Sequence, residues 1–360
     1  MYDRPVTKGR GRRGFGLSRA GWDMHIPDVL IDGRVAIATT ALGAAGLAYG
    51  LRVVERRHGA RTTSLMGMMA AFVFAAQMVN FPVGPGVSGH LLGGVLSAVI
   101  LGPWAGAVVI AAVLIVQCLL FQDGGLTALG ANFINMGLVG AVGGYAVYAP
   151  IRWAIGGRRG VLIGSMIAAW FSVLLAAGAF TIELAILGGK HDFFRILSWM
   201  ALVHAVIGVG EALITGLVVR FVLLTRPDLI DDEPGIDGLD EPTGRWLPGW
   251  LSTTLAGVGI ALGVAVFLSP FASEAPDGLE YVGGKLGFLP EDDAPPMLAA
   301  PMPDYQLPVS VPVLGLDHVK LATALAGLTG TLAVFAFAWL LARVFSREGP
   351  PPGKVEFDGA

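Results

Sequence analysis

The chain has 360 residues, of which 54 % are apolar and only 14 % charged, with a net charge of −3. Ordinary globular chains carry roughly a quarter charged residues, so this balance and a mean hydropathy of +0.68 exclude a soluble domain. No basic excess offers a footing for nucleic acid, and a single cysteine, Cys118, excludes an intrachain disulfide or a thiolate metal cluster.

Residues 1–23 are polar and basic, with Arg4, Lys8, Arg10, Arg12, Arg13 and Arg19 against Asp3 and Asp23. A helix that crosses a bilayer needs about 20 apolar residues. The apolar runs predict spans near 34–54, 64–80, 91–101, 104–121, 126–149, 160–187 and 198–224. The run 91–101 stops at Gly102-Pro103 and is too short to cross alone. It is expected to pair with a non-helical stretch, 81–90, which reaches membrane depth only by being buried or lining a cavity. A linker, 225–249, is rich in Asp, Glu, Gly and Pro and ends this seven-segment module of residues 24–224. A second module, 250–345, follows with spans near 250–269 and 319–345 around a loop, 270–318, and a tail, 346–360, closes the chain. The fold class predicted is an all-α polytopic membrane protein with a re-entrant outer loop.

Lys and Arg concentrate in loops 52–63 and 150–159, in the linker and in the tail. The positive-inside rule puts those segments and the C-terminus in the cytoplasm, so a cytoplasmic (inner or plasma) membrane is expected. Met24, 81–90 and 270–318 then fall outside. Six basic residues ahead of an outer start conflict with that rule. The extension 1–23 is therefore expected to be a mis-set start or a removed segment, leaving Met24 first. The outer loop 270–318 is proline-rich and acidic, and reads as a solvated loop or as an acidic collar that gathers cations.

Met24-His25-Ile26-Pro27-Asp28 carries chemistry if the chain begins at its methionine. A free Met24 amine, the His25 amide nitrogen and the His25 imidazole would then close two adjoining chelate rings, an arrangement favoured by nickel(II) and copper(II) and open to cobalt. His90 lies at the outer end of the break between helices, on the same predicted side. A lone histidine there more often bonds a carbonyl than a metal. Asn80 and Ser88 are placed to orient its ring, or to satisfy backbone in the turn. Gln117, Asn132, Asn135, His204 and Glu211 sit inside apolar runs, where polar groups are costly. Substrate pathway and interhelical hydrogen bonding are equal readings of each. No glycine-lysine pair belongs to a phosphate-binding loop, as Gly189-Lys190-His191 and Gly284-Lys285-Leu286 show. An ATPase motor would have to be another chain.

Taken together, Met24-His25-Ile26-Pro27-Asp28, Ser88-Gly89-His90-Leu91, Leu101-Gly102-Pro103-Trp104, the run 123–132 beginning Asp123-Gly124-Gly125-Leu126, and His204 through Thr215 resemble the CbiM/NikM family. These are the membrane substrate-capture subunits of energy-coupling-factor (ECF) transporters for cobalt or nickel. Ala275-Pro276-Asp277-Gly278-Leu279-Glu280 resembles the small CbiN/NikN subunit, here fused. The resemblance implies metal ligation by Met24, His25 and His90. It implies transport of Ni²⁺ or Co²⁺ as cargo, with no enzymatic activity and no permanently bound cofactor. A transmembrane coupling protein and cytoplasmic ATPases would be the partners, in service of cobalamin biosynthesis or nickel enzymes. Two rivals stand beside it: an ATP-independent secondary metal carrier, and an intramembrane serine protease with Ser88 as nucleophile and His204 as base.

Overall fold

The computed structural model describes residues 25–57, 60–186, 192–230, 249–289, 297–306 and 318–345. Met24, the extension before it, most of the linker and the tail lie outside the described residues. Among the described residues, seven helical stretches are long and apolar enough to cross a membrane, and a shorter apolar helix, Thr62–Gln77, accompanies them. The chain is a multi-pass membrane protein.

The first module opens with α1 (Gly33–Arg57), capped by Asp32, whose carboxylate accepts from Arg34 N and Val35 N. Then come α2 (Ala60–Gln77) and a two-stranded hairpin, β1 (Phe81–Gly84) and β2 (Val87–Gly89). Pro85 and Gly86, the latter at φ 73°, occupy the central turn positions that a type II turn assigns to proline and glycine. The stretch expected to be irregular is thus a short antiparallel ribbon, pairing Phe81 with Gly89 and Pro82 with Ser88. It is the one departure from an all-helical fold among the described residues. After it, α3 (Gly94–Leu101) breaks at Gly102, φ 87°, and α4 (Pro103–Val116) starts with proline at a position that needs no N–H.

Eleven of the fourteen residues of α4 are buried, and its sequence is apolar on every side. A helix of that kind belongs in the middle of a bundle. It lies among α1, α2, α3 and the following helices, and it ends in a π-helical turn, Gln117–Phe121. α5 (Leu129–Phe133) runs through a second π segment, Ile134–Gly143, into α6 (Gly144–Ile155). Single π turns recur at functional sites because they slip side chains out of register. Two long helices complete the module, α7 (Gly157–Ile186) and α8 (Phe193–Thr225), packed along each other. On α8 the apolar residues Leu202, Val206, Val209, Leu213, Leu217, Phe221 and Leu224 are exposed at three- and four-residue spacing. That stripe is where hydrocarbon meets the helix; the opposite face holds Met200, Ile207, Glu211 and Thr215 inside.

The second module has α9 (Gly249–Gly263), a short α10 (Gly278–Leu286) and α11 (His318–Phe345). Glycines let it lie close: a side chain at Gly330 would strike the rings of Phe74 and Phe121, and one at Gly257 would strike Met68. Ala326, Val334, Ala338 and Ala342 join the same buried cluster as α2 and α4. The segment 270–318, expected to be a solvated loop or an acidic collar, holds a packed helix among its described residues. Within it α10 is held by a capping box between Asp277 and Glu280 and rests on α8. Burial first, and the Asp277 charge second, push the Glu280 carboxyl up to about 8.

Candidate metal-capture site

The segment 25–28 is pinned along its length to 123–132. Gly125 N donates to Ile26 O at 2.9 Å, and Asn132 clamps Ile26 from both sides, accepting its N–H at 3.0 Å and donating to its carbonyl at 3.2 Å. Asp28 accepts from the backbone N–H and the hydroxyl of Thr127, each at 2.7 Å. The two glycines of Asp123-Gly124-Gly125-Leu126 make this approach feasible. A Cβ on Gly124 would lie 2.9 Å from the Cβ of His25, and one on Gly125 would collide with the backbone of Asp28.

This zipper delivers His25, 3 % exposed, into the interior. Its Nδ1 faces Asp123 Oδ1 at 2.8 Å, and its Nε2 is buried with no hydrogen-bond partner among the described residues. His90 emerges from the end of the hairpin, with its ring centre 5.8 Å from that of His25 and the planes inclined by 46°. With metal–nitrogen bonds of about 2.0–2.1 Å, two imidazoles on one ion have centres about 4.5 Å apart in cis and about 6.4 Å apart in trans. The observed separation falls inside that window.

Both rings, with His204, line one cavity of about 100 Å³. Each of the three histidines turns its Nδ1 to an acceptor: Asp123 for His25, Leu91 O at 3.1 Å for His90, and Met200 O at 2.8 Å for His204. An oxygen that can only accept fixes the proton on Nδ1 of a neutral imidazole, so Nε2 keeps its lone pair. For His25 this differs from the expected chelate. A ring closed through the residue's own amide uses Nδ1, which Asp123 holds; the nitrogen on offer is Nε2. Among the described residues no group of three His, Cys, Asp or Glu side chains is gathered to hold an ion alone.

The remaining expected residues separate. Asn132 and Asn135 line the cavity, and Asn135 Nδ2 donates to Glu183 at 2.9 Å. Asn80, Ser88, Gln117 and Glu211 do not line it. Ser88 donates from its hydroxyl to Ala275 O at 2.7 Å and from its N–H to Pro276 O at 2.8 Å, tying the hairpin to the second module. Asn80 accepts Ser273 N through its carbonyl. Gln117 donates to Gln77 Oε1 at 2.9 Å, and Gln77 in turn donates to Leu92 O. Glu211 accepts the N–H groups of Leu92 and Gly93 ahead of α3. His204 and Glu211, two turns apart, thus have separate tasks. Sequence reasoning missed Asp123, Asp277 and Tyr305. Asp277 Oδ2 lies 3.8 Å from His90 Nε2, and Asp277, Gly278 and Leu279 form part of the cavity wall. The signal for Asp123 and Asp277 was present, as each opens an Asp-Gly stretch already singled out.

A partly open cavity of about 100 Å³, walled mainly by apolar side chains with three histidines among them, belongs to a multi-pass membrane protein and is of a size for a small ion. The comparisons agree. The model of the family described as the cobalt uptake substrate-specific transmembrane region matches residues 25–229, and that of the PDGLE domain matches 251–347. The chain belongs to the CbiM family and carries a PDGLE domain after it. It is 36 % identical over 324 residues, 89 % of this chain and 98 % of the relative, to an Archaeoglobus fulgidus protein named as a fused nickel transporter, NikMN. It is 33 % identical over 58 % of its length to the fused nickel transport protein NikMN of Rhodobacter capsulatus, spanning 64 % of that protein. A crystal structure of a truncated transition metal transporter superposes with a TM-score of 0.51 at 30 % identity, covering 56 % of this chain and 98 % of that one.

Proposed function

We propose that the protein captures Ni²⁺ or Co²⁺ from the outer side of the cytoplasmic membrane for uptake, as the substrate-binding component of an ECF-type transporter. The observation that carries this reading is the buried, partnerless Nε2 of His25, in a cavity shared with His90. Leaving such a buried nitrogen unpaired costs about 1–3 kcal/mol, a cost that a cation in the cavity removes. His25 and His90 supply two nitrogens, and the Met24 amine supplies a further one where the mature chain begins there. Planar chelation through the His25 amide needs the imidazole to turn and release Asp123 from Nδ1. A nitrogen-rich set suits nickel and cobalt alike, so both remain cargo candidates.

Transport would follow when a transmembrane coupling protein and cytoplasmic ATPases reorient the module, a reading supported by Gly189-Lys190-His191 and Gly284-Lys285-Leu286, neither of which fits a phosphate-binding loop. The positive-inside pattern supports Met24 and α10 outside and the C-terminus in the cytoplasm. The serine-protease reading loses its footing, because the Ser88 hydroxyl is spent on Ala275 O.

The test is uptake of ⁶³Ni²⁺ and ⁵⁷Co²⁺ by cells carrying His25→Ala or His90→Ala, with membrane insertion checked separately. Each substitution should abolish uptake while the protein still inserts. Normal uptake by either variant would refute the site. Uptake that persists without an ATPase partner would instead favour a secondary carrier. Mass spectrometry of the mature N-terminus decides the amine.

A further inference from the structure

We infer that Asn135 and Glu183 form a cation-recognition pair for the captured divalent ion, the Glu183 carboxylate polarising an amide whose carbonyl faces the cavity. The inference rests on the reading of this cavity as the capture site.

Asn132 and Asn135 both line the cavity, and they spend their amides differently. Asn132 gives both halves to Ile26. Asn135 gives one: Nδ2 donates to Glu183 Oε2 at 2.9 Å, while Oδ1 is buried with no hydrogen-bond partner among the described residues. Glu183 stands behind the cavity wall and is not part of it. The amide therefore turns its donor away from the cavity and leaves the oxygen as the polar atom on the cavity side. Among the described residues, two of the buried side-chain atoms without a partner belong to residues lining this cavity, Asn135 Oδ1 and His25 Nε2. The Asn135 oxygen can only accept, and a buried acceptor left unmet is unfavourable until something positive reaches it.

Glu183 makes this pair more than a tie between helices. It lies on α7, 7 % exposed, within a stretch long and apolar enough to cross the membrane. Among the described residues no Lys or Arg forms an ion pair with it, and its hydrogen bond comes from Asn135. A carboxylate at such depth is costly unless a positive charge answers it. In surroundings of low polarity, hydrogen-bonded groups polarise one another, so an anion at Nδ2 draws negative charge onto Oδ1 at the other end of the amide. Asn135 also belongs to the π-helical segment Ile134–Gly143, which packs on α7, and widened turns of this kind recur at functional sites. A divalent ion chelated through one ionised amide keeps a net positive charge. The pair acts on that charge, whichever nitrogen of His25 the ion takes.

The experiment uses the purified full chain in detergent, titrated with NiCl₂ or CoCl₂ alone, beside thermal unfolding without metal. Glu183→Gln keeps an oxygen for Asn135 Nδ2 and removes the charge. It should weaken binding of both ions about tenfold, as loss of an outer partner of a metal site does, and leave the metal-free unfolding temperature in place. Asn135→Leu combined with Glu183→Met replaces the pair by apolar groups of similar shape, an exchange close to neutral for folding. This double variant should bind both ions more weakly than Glu183→Gln while still unfolding as the parent does. A pair that only ties two helices predicts the reverse, with Glu183→Gln binding as before. Unchanged or tighter binding by Glu183→Gln or by the double variant overturns the inference, as does a loss of affinity matched by an equal loss of metal-free stability. Retained binding by His25→Ala would instead overturn the capture site itself, and the two failures are told apart in the same titrations.

Discussion

Replacing Glu211 by glutamine should disable metal capture without touching the cavity. Glu211 is fully buried on α8, and its two oxygens accept Leu92 N at 2.5 Å and Gly93 N at 2.9 Å. Those N–H groups precede α3, whose N-cap, Gly93 at φ 75°, has no side chain to offer. A carboxylate on another helix therefore does the work of a cap. Each hydrogen bond contributes about 0.5–1.5 kcal/mol, and a buried N–H left without its acceptor costs about 1–3 kcal/mol. Glutamine has the same shape, but keeps one accepting oxygen and sets an NH₂ against the other N–H. The net loss should be about 2–4 kcal/mol, placed two residues from His90. Unfolding of the purified protein in detergent should shift down accordingly, and Ni²⁺ affinity by calorimetry should drop more than tenfold. Wild-type stability together with wild-type affinity in Glu211→Gln would refute the argument that this carboxylate builds the His90 turn.

Two further predictions follow the same logic. In Gly125→Ala the new methyl would sit closer than 3.0 Å to the backbone nitrogen and carboxylate of Asp28. Separation of segment 25–28 from 123–132 should cost about 1–3 kcal/mol and lower Ni²⁺ affinity; an unchanged titration would show that the zipper does not set His25. Glu280 holds its proton to about pH 8 in the folded state against an ordinary value of 4.5. The native state then binds more protons than the unfolded one between those values, so the contribution of Glu280 is present at about pH 4.5 and lost as pH rises to about 8. Glu280→Gln should flatten that part of the stability profile measured without metal, and an unaltered slope would count against a protonated Glu280.

The bundle was largely legible because its signals are summed over many residues. The unbroken apolar run of α4 declares a central helix, and Gly102-Pro103 declares the break before it. His25 and His90 stand out in the sequence by their setting, and the structure brings both rings to one cavity. What was hidden depends on backbone geometry or distant pairing. The ribbon at 81–89 carries two prolines and three glycines, a composition that reads as irregular until a turn at Pro85-Gly86 folds it. The task of Asp123 depends on Gln122 at φ 57°, a residue type with no special preference for that conformation. Tyr305 stands in a stretch of Pro, Asp and Gln with no periodicity at all. The seat of α10 was misjudged for a similar reason. Acidic residues suggest water, yet the Asp277–Glu280 box spends that polarity on its own helix start and frees Leu279 and Val282 to pack inward.

The second module reaches the site from two directions, and this gives the fusion a physical sense. On one side Ala275 and Pro276 bond Ser88, and Asp277 faces His90. On the other, Tyr305 grips the carboxylate that holds His25. Neither histidine-bearing segment of the first module is therefore supported by that module alone. Between these contacts α10 closes part of the cavity wall, and a side chain in place of Gly278 would meet His204 and Ile207. On the proposed reading, an ion entering from the outer side would pass groups that belong to both modules, and the same groups touch the two histidines. Linking the modules in one chain keeps the local concentration of these contacts high at any level of expression. Co-expression of 1–230 and 249–360 as separate chains should therefore bind Ni²⁺ more weakly than the intact chain, with affinity recovering as the second piece is added in excess; equal affinity for 1–230 alone would show that α10 and Tyr305 are bystanders.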